Sequence, residues 1–178
     1  ILGIVGEGSL GSSVATIGMN GFGMKPIFLD HDFVKDEDRK DKVFLSYKEF
    51  MSTADIISVH CPLTPQTKNL INLEAIRCMK NSAIIINTAR APLVDTAALV
   101  TALKLGQVRG AGLDLVEGEQ LPTDHPLLHF DNVVITPHVA WYSEEAKVNL
   151  RRMAVQEVIR VLHGGKPNSL LNPEVATE

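Results

Sequence analysis

Six short runs constrain the fold more than anything else in the chain: "ILGIV" (1–5), "PIFL" (26–29), "IISV" (56–59), "AIIIN" (83–87), "GAGLD" (110–114) and "VVIT" (133–136). A strand with one wet face alternates apolar and polar residues. These runs are near-continuous in Val, Ile and Leu instead, which suits a parallel sheet covered by helices on both faces. Helical spacing fills the gaps at about 10–21, 47–53, 68–79 and 95–105. The third carries Leu70, Leu73, Ile76 and Met79, and the fourth Leu99, Val100 and Leu103. Strand–helix alternation of this kind predicts βαβ units and an α/β fold with a doubly wound parallel sheet.

After about Ser143 the pattern changes to one long helix reaching His163. Ser143 is the expected N-cap, with Glu144 and Glu145 at the positive end of the dipole. Val148, Val155, Val158, Ile159 and Leu162 form an apolar stripe, and "HGGKP" ends the helix. The expected division is therefore 1–142 for the α/β domain and 143–178 for the helix and its tail.

The 178 residues suffice for one sizeable core and not for two full α/β domains. A net charge of −4 with both signs interspersed argues against a nucleic-acid surface. No apolar run is long enough to span a bilayer. Cys61 and Cys78 lie in or beside apolar segments and read as small core residues of a reduced, cytoplasmic protein. No metal site is expected. The chain opens on "ILGIVGEG" without methionine, so a segment ahead of the first strand is expected to be missing.

"VGEGSLG" sets Gly6, Gly8 and Gly11 in G-x-G-x-x-G spacing, between a strand and a helix. In that arrangement the first glycine permits a tight turn and the second lets a pyrophosphate approach the backbone. The third lets helix and strand pack closely, and the helix amides hold the phosphates. The second strand run ends on Asp30, 19 residues after Gly11, the separation expected for an acid on a ribose diol. A carboxylate there repels a 2′-phosphate, favouring NAD over NADP.

Four chemically capable residues follow strand ends: Arg90 in "INTAR", Asp114 and Glu119 in "GLDLVEGEQ", and His138 in "VVITPHVAW". Open α/β sheets bind ligands beyond the carboxyl ends of their strands, so the four are expected to converge. The set suffices for hydride exchange at a hydroxyl carbon. His138 would move the hydroxyl proton, and Glu119 would orient its imidazole. Arg90 would clamp a carboxylate and polarise the keto oxygen.

Together "LGIVGEGSLG", "ADIISVHCPLTPQTKNLIN", "MKNSAIIINTAR", "LVDTAALVTALKLGQVRGAGLDLVEGE", "HPLLHFDNVVITPHVAWYSEEA" and "LNPEV" resemble the NAD-binding domain of D-isomer-specific 2-hydroxyacid dehydrogenases. The resemblance implies a Rossmann fold, a catalytic trio of Arg90, Glu119 and His138, and a substrate domain absent from this chain. It implies cofactor contacts at Ser9 and Leu10 of the turn, Asp30, Cys61, Pro62 and Thr67. Further contacts are implied at Thr88, Ala89, Arg90 and Asp114, the last near the carboxamide, and from His138 through Ala140 to Trp141. A 2-hydroxy or 2-oxo acid substrate and a homodimer paired through this domain follow from the same likeness. "HVAWYSEEA" also resembles the C-terminal-binding-protein branch, which supplies the alternative of an NAD(H)-sensing corepressor module. There Trp141 lines the substrate pocket, the other expectation for it being a packing residue at a helix start. One departure stands out: the family continues "NTAR" with two glycines, whereas this chain has Ala91-Pro92. If the first of those glycines requires positive φ, Ala91 is strained by about 1 kcal/mol and Arg90 is displaced.

Overall fold

The computed structural model describes residues 1–29, 41–118, 121–168, 170 and 172. In chain order the elements are β1 (Leu2–Val5), α1 (Ser9–Phe22), β2 (Pro26–Leu29), β3 (Phe44–Leu45), α2 (Tyr47–Thr53), β4 (Ile56–Val59), α3 (Leu73–Cys78), β5 (Ile84–Asn87), α4 (Thr96–Lys104), β6 (Gly110–Leu113), β7 (Val133–Ile135) and α5 (Glu144–Leu162). Among the described residues the seven strands form one sheet in the order β3-β2-β1-β4-β5-β6-β7. Every pairing is parallel. The order reverses at β1, and such a switch point is where open α/β sheets bind ligands.

Over its centre, at β1, β2 and β4, the sheet is buried on both faces, as the unbroken apolar runs require. On one face Leu2 and Ile4 of β1 pack with Ala15 of α1 and Phe28 of β2. On the other, Val5, Ile57, Val59 and Ile85 join Phe50, Met51, Ile76 and Leu99 from the helices in one larger cluster. Ile57 and Ile85 are fully buried, and each such side chain stabilises the fold by roughly 1.5–3 kcal/mol. The run "VVIT" also reads as buried, but β7 has no buried residue and its Val134 is 65% exposed, because among the described residues the sheet edge there lacks a helix over that face.

Helix ends follow local chemistry. Asn72 accepts the Ala75 amide at 2.9 Å and Asp95 the Ala98 amide at 3.0 Å, starting α3 and α4. The sequence pattern placed the third helix at 68–79, but α3 runs only from Leu73 to Cys78. Asn69 stands at φ +53° and Ile71 makes a parallel bridge to Val94, so the chain ahead of Asn72 is not helical. The pattern also passed over β3, where two residues pair with Phe28 and Leu29 and the Phe44 ring lies 5.4 Å from that of Phe28.

The chain divides into two compact units, Ile1–Ala140 and Trp141–Glu178. In the second, the Ser143 side chain accepts the Ala146 amide at 3.0 Å and starts α5, whose described residues are none of them buried. Its stripe includes exposed Val148, Val155, Val158, Ile159 and Leu162. Among the described residues no helix is long and apolar enough to cross a membrane.

Candidate functional site

The turn after β1 is shaped by two glycines and left open by a third. Gly6 stands at φ +97°, and a Cβ there would lie 2.8 Å from the Cys61 amide nitrogen. A Cβ on Gly11 would sit 1.9 Å from the Gly6 carbonyl oxygen, so helix and turn touch through that hydrogen alone. At Gly8 a Cβ would meet nothing within 4 Å. Its lack of a side chain serves no contact inside the protein, and leaves the backbone open to a ligand. Gly8 is also the N-cap of α1, where no side chain caps the helix and no acidic residue occupies the first turn. The first-turn backbone at Ser9, Leu10 and Gly11 is thus suited to an anion. Ser9 and Leu10 are exposed, and the Ser12 hydroxyl donates to the Glu7 carbonyl at 2.7 Å, tightening the turn from behind.

The loop leaving β4 lies against this turn. Thr67 orders it, donating from Oγ1 to the Pro62 carbonyl and accepting the Thr64 amide, both at 2.7 Å. Pro62 is exposed and Cys61 half-buried. Burial pushes the Cys61 thiol pKa up; the residue meets the turn through its backbone and packs against the hydrophobic core. Next to it His60, 2.8 Å from the Ser58 hydroxyl, has its pKa lowered by burial.

Beyond β5 the chain presents Thr88, Ala89 and Arg90. Asn87, 1% exposed, holds this segment with both ends of its carboxamide. Nδ2 donates to the Arg90 carbonyl at 2.9 Å, and Oδ1 accepts the Ala89 amide at 3.1 Å. The Arg90 guanidinium reaches back to the Ala89 carbonyl at 2.6 Å, and the residue is exposed. Ala91 is not strained. Residues Ala91–Leu93 form a single 3-10 turn, and no positive φ occurs at Ala91. Pro92 sits within that turn's first two residues, where a missing amide proton goes unmissed, and its carbonyl accepts the Asn69 amide at 2.7 Å.

Asp114, 3% exposed at the end of β6, organises the turn after β7. Oδ1 accepts the Thr136 hydroxyl at 2.5 Å and the Val139 amide at 2.8 Å, and Oδ2 the Ala140 amide at 2.9 Å. The Asp114 carbonyl takes the His138 amide at 2.9 Å. Burial alone would raise the carboxyl pKa. The bonds from Thr136, Ala140 and Val139 together with the neighbouring imidazole outweigh it, leaving the pKa below its ordinary value. Held this way, His138 adopts φ +55°, a left-handed conformation rare outside glycine.

Arg90, Asp114, Thr136 and His138 line one cavity of about 810 Å³, walled by Leu115, Val116, Leu121, Leu128 and Ile135. Two of the expected site residues, Asp30 and Glu119, lie outside the described residues. Trp141 begins the second unit, half-exposed, with its ring edge-on to Tyr142 at 5.5 Å. Among the described residues no group of three or more His, Cys, Asp or Glu is arranged to hold a metal.

Asn87, Ser12 and Thr136 were not anticipated from the sequence. Asn87 had a readable signal, since an amide closing the apolar run "IIIN" must find partners when buried. Thr136 and Ser12 had none, because their partners lie far away in the chain or on the backbone.

A seven-stranded parallel sheet with a glycine turn at its switch point and ionisable residues beyond β5, β6 and β7 defines a dinucleotide-binding α/β domain. Residues 1–140 match the family described as "D-isomer specific 2-hydroxyacid dehydrogenase, NAD binding domain", and the chain belongs to that family. It is similar to a glyoxylate reductase of Thermofilum pendens, 42% identical over 176 residues, 98% of this chain and 52% of the relative. Among solved structures it is similar to the TT0316 protein from Thermus thermophilus, with a TM-score of 0.86 and 40% identity over 96% of this chain and 53% of that one. It also resembles the NAD-complexed D-isomer specific 2-hydroxyacid dehydrogenase from Lactobacillus delbrueckii ssp. bulgaricus, with a TM-score of 0.86 and 37% identity over 96% and 56%. The chain spans about half the length of the curated relatives it matches.

Proposed function

We propose that this chain is the cofactor half of an NAD-dependent D-2-hydroxyacid dehydrogenase that reduces small 2-oxo acids. The observation that carries the reading is that Arg90 and His138, from turns after different strands, line one cavity on the edge of the sheet that also bears the open glycine turn. The pyrophosphate of NAD would lie on the amides that start α1, over Gly8, with Asp30 on a ribose diol. Cys61, Pro62 and Thr67 would line its path toward Thr88 and Ala89, with Asp114 and Ala140 at the nicotinamide end. When bound, the nicotinamide supplies the hydride. Arg90 would hold the substrate carboxylate and draw charge from the keto oxygen. His138 would give that oxygen its proton on reduction, with Glu119 favouring the charged imidazole. The names of the relatives support glyoxylate and hydroxypyruvate as first substrates to try.

The test is NADH oxidation by the full-length protein with glyoxylate and hydroxypyruvate. Arg90→Ala and His138→Ala should each lower kcat/KM at least about a hundredfold with NADH affinity retained. Near-normal turnover in either variant would refute the assignment. NADPH should serve more poorly than NADH. The 178 residues alone should bind NADH and turn over 2-oxo acids poorly, since about half of the relatives' length is not in them. The same reading divides the chain into a cofactor domain, 1–142, and a returning helix and tail, 143–178. It makes the protein a cytoplasmic homodimer, for which sedimentation at high concentration is the check.

A further inference from the structure

We infer that Asn87 is a positioning residue for substrate capture: its carboxamide fixes the two peptide groups that aim Arg90. This rests on the role proposed above for Arg90. The side chain is 1% exposed, and a buried carboxamide must have partners for both ends. It spends them on two neighbouring residues. Oδ1 takes the Ala89 amide at 3.1 Å and Nδ2 gives to the Arg90 carbonyl at 2.9 Å, pinning the peptide groups on either side of the Ala89–Arg90 peptide. The Ala89 carbonyl then receives the Arg90 guanidinium at 2.6 Å, so the peptide that holds the cation lies between the two that Asn87 fixes.

The main chain of the same residue points the other way. Its carbonyl accepts the Asp114 amide at 3.0 Å, and Asp114 carries the His138 turn. One residue at the end of β5 therefore touches both halves of the proposed site, yet its side chain reaches only the Arg90 half. Replacing the side chain should disturb Arg90 while leaving the β6 contact and the glycine turn in place. A near-isosteric Asn87→Asp keeps the acceptor for Ala89 and sets a carboxylate oxygen against the Arg90 carbonyl where a donor stood.

The experiment compares Asn87→Asp in the full-length protein and in an Arg90→Ala background, with glyoxylate turnover and with the unreactive mimic oxamate titrated onto the NADH complex. Alone, Asn87→Asp should lower kcat/KM at least about tenfold, chiefly through KM, and weaken oxamate by a similar factor. NADH affinity should stay within about twofold. In the Arg90→Ala background the substitution should change either readout less than about twofold, because the group it positions is already gone. An equal loss in both backgrounds, or a parallel loss of NADH affinity, makes Asn87 a general structural residue and overturns the assignment. If Arg90→Ala by itself leaves turnover and oxamate binding intact, the reading of Arg90 fails and this assignment falls with it. Should Asn87→Asp not fold, Asn87→Ser gives the same comparison. Its hydroxyl is too short to serve both peptide groups, and the same outcomes decide.

Discussion

Two turns carry the proposed chemistry, and they are held in opposite ways. The Arg90 turn uses ordinary backbone: Arg90 is extended at φ −148°, ψ 137°, and a 3-10 turn follows. Its support is spread over many groups. Besides the Asn87 carboxamide, Pro92 accepts from Asn69, Ile71 donates to the Leu93 carbonyl at 3.0 Å, and Asp95 donates to the Ile71 carbonyl at 2.9 Å. The His138 turn places a non-glycine residue at φ +55°. The carboxylate of Asp114 is the group that grips the next two amides and the Thr136 hydroxyl. The His138 amide also donates to the Asp114 and Thr136 carbonyls, but the side-chain bonds to this turn converge on one buried carboxylate, so losing it should cost more than losing one support of the Arg90 turn.

The largest effect should come from removing that ion. Asp114→Ala strands the Thr136 hydroxyl and two amides and frees the left-handed backbone. Denaturant unfolding should show a loss of about 3 kcal/mol, and turnover should fall about a thousandfold. If both changes prove minor, the His138 turn is not held by one side chain and the contrast is void. A smaller effect sharpens it. Of the pair His138→Gly and His138→Ala, both lacking the imidazole, the glycine variant should be more stable by about 1 kcal/mol, since glycine adopts positive φ freely. At Arg90 the order should reverse, glycine being less stable than alanine by roughly 0.5–1 kcal/mol in extended backbone. The same order at both positions would show that backbone geometry does not separate the turns.

Much of this was legible in the chain, and the reasons for the remainder are physical. Strands of a parallel sheet write themselves as unbroken apolar runs, which is why β1, β2, β4, β5 and β6 could be read from the pattern, and β7 too, although its Val134 is exposed. β3 could not, because two residues on a sheet edge bury too little to leave a pattern. Leu70 misled for the opposite reason. Its spacing to Leu73 is helical, but Asn69 and Asn72 set a turn and a cap between them, and side-chain capping overrides periodicity. The glycine turn was legible because Gly6 and Gly11 answer to steric demands that spacing alone encodes. Arg90 and His138 were visible as polar residues following strands. The part played by Asp114 was not. Nothing in "GLD" announces that its carboxylate closes a loop 22 to 26 residues further on.

Two milder perturbations complete the comparison. Pro92→Ala keeps the carbonyl that binds Asn69 and relaxes only the unfolded chain. It should therefore lower stability by no more than roughly 0.5–1 kcal/mol and alter turnover less than twofold. A larger kinetic effect would mean that the Arg90 turn hangs on one residue after all. Acid should act on the other turn alone. The Asp114 carboxyl has a folded pKa below its ordinary value, so its ionised form binds fewer protons in the native state than in the unfolded chain. Its contribution is complete above the unfolded value of about 3.9 and is lost as pH falls through the lower folded value. The stability gap between the wild type and Asp114→Asn should accordingly stay constant from neutral pH to about 5 and narrow only below about 4. A gap that closes at higher pH would mean that the native state does not favour the carboxylate, and that neutral groups fix His138 in its left-handed turn.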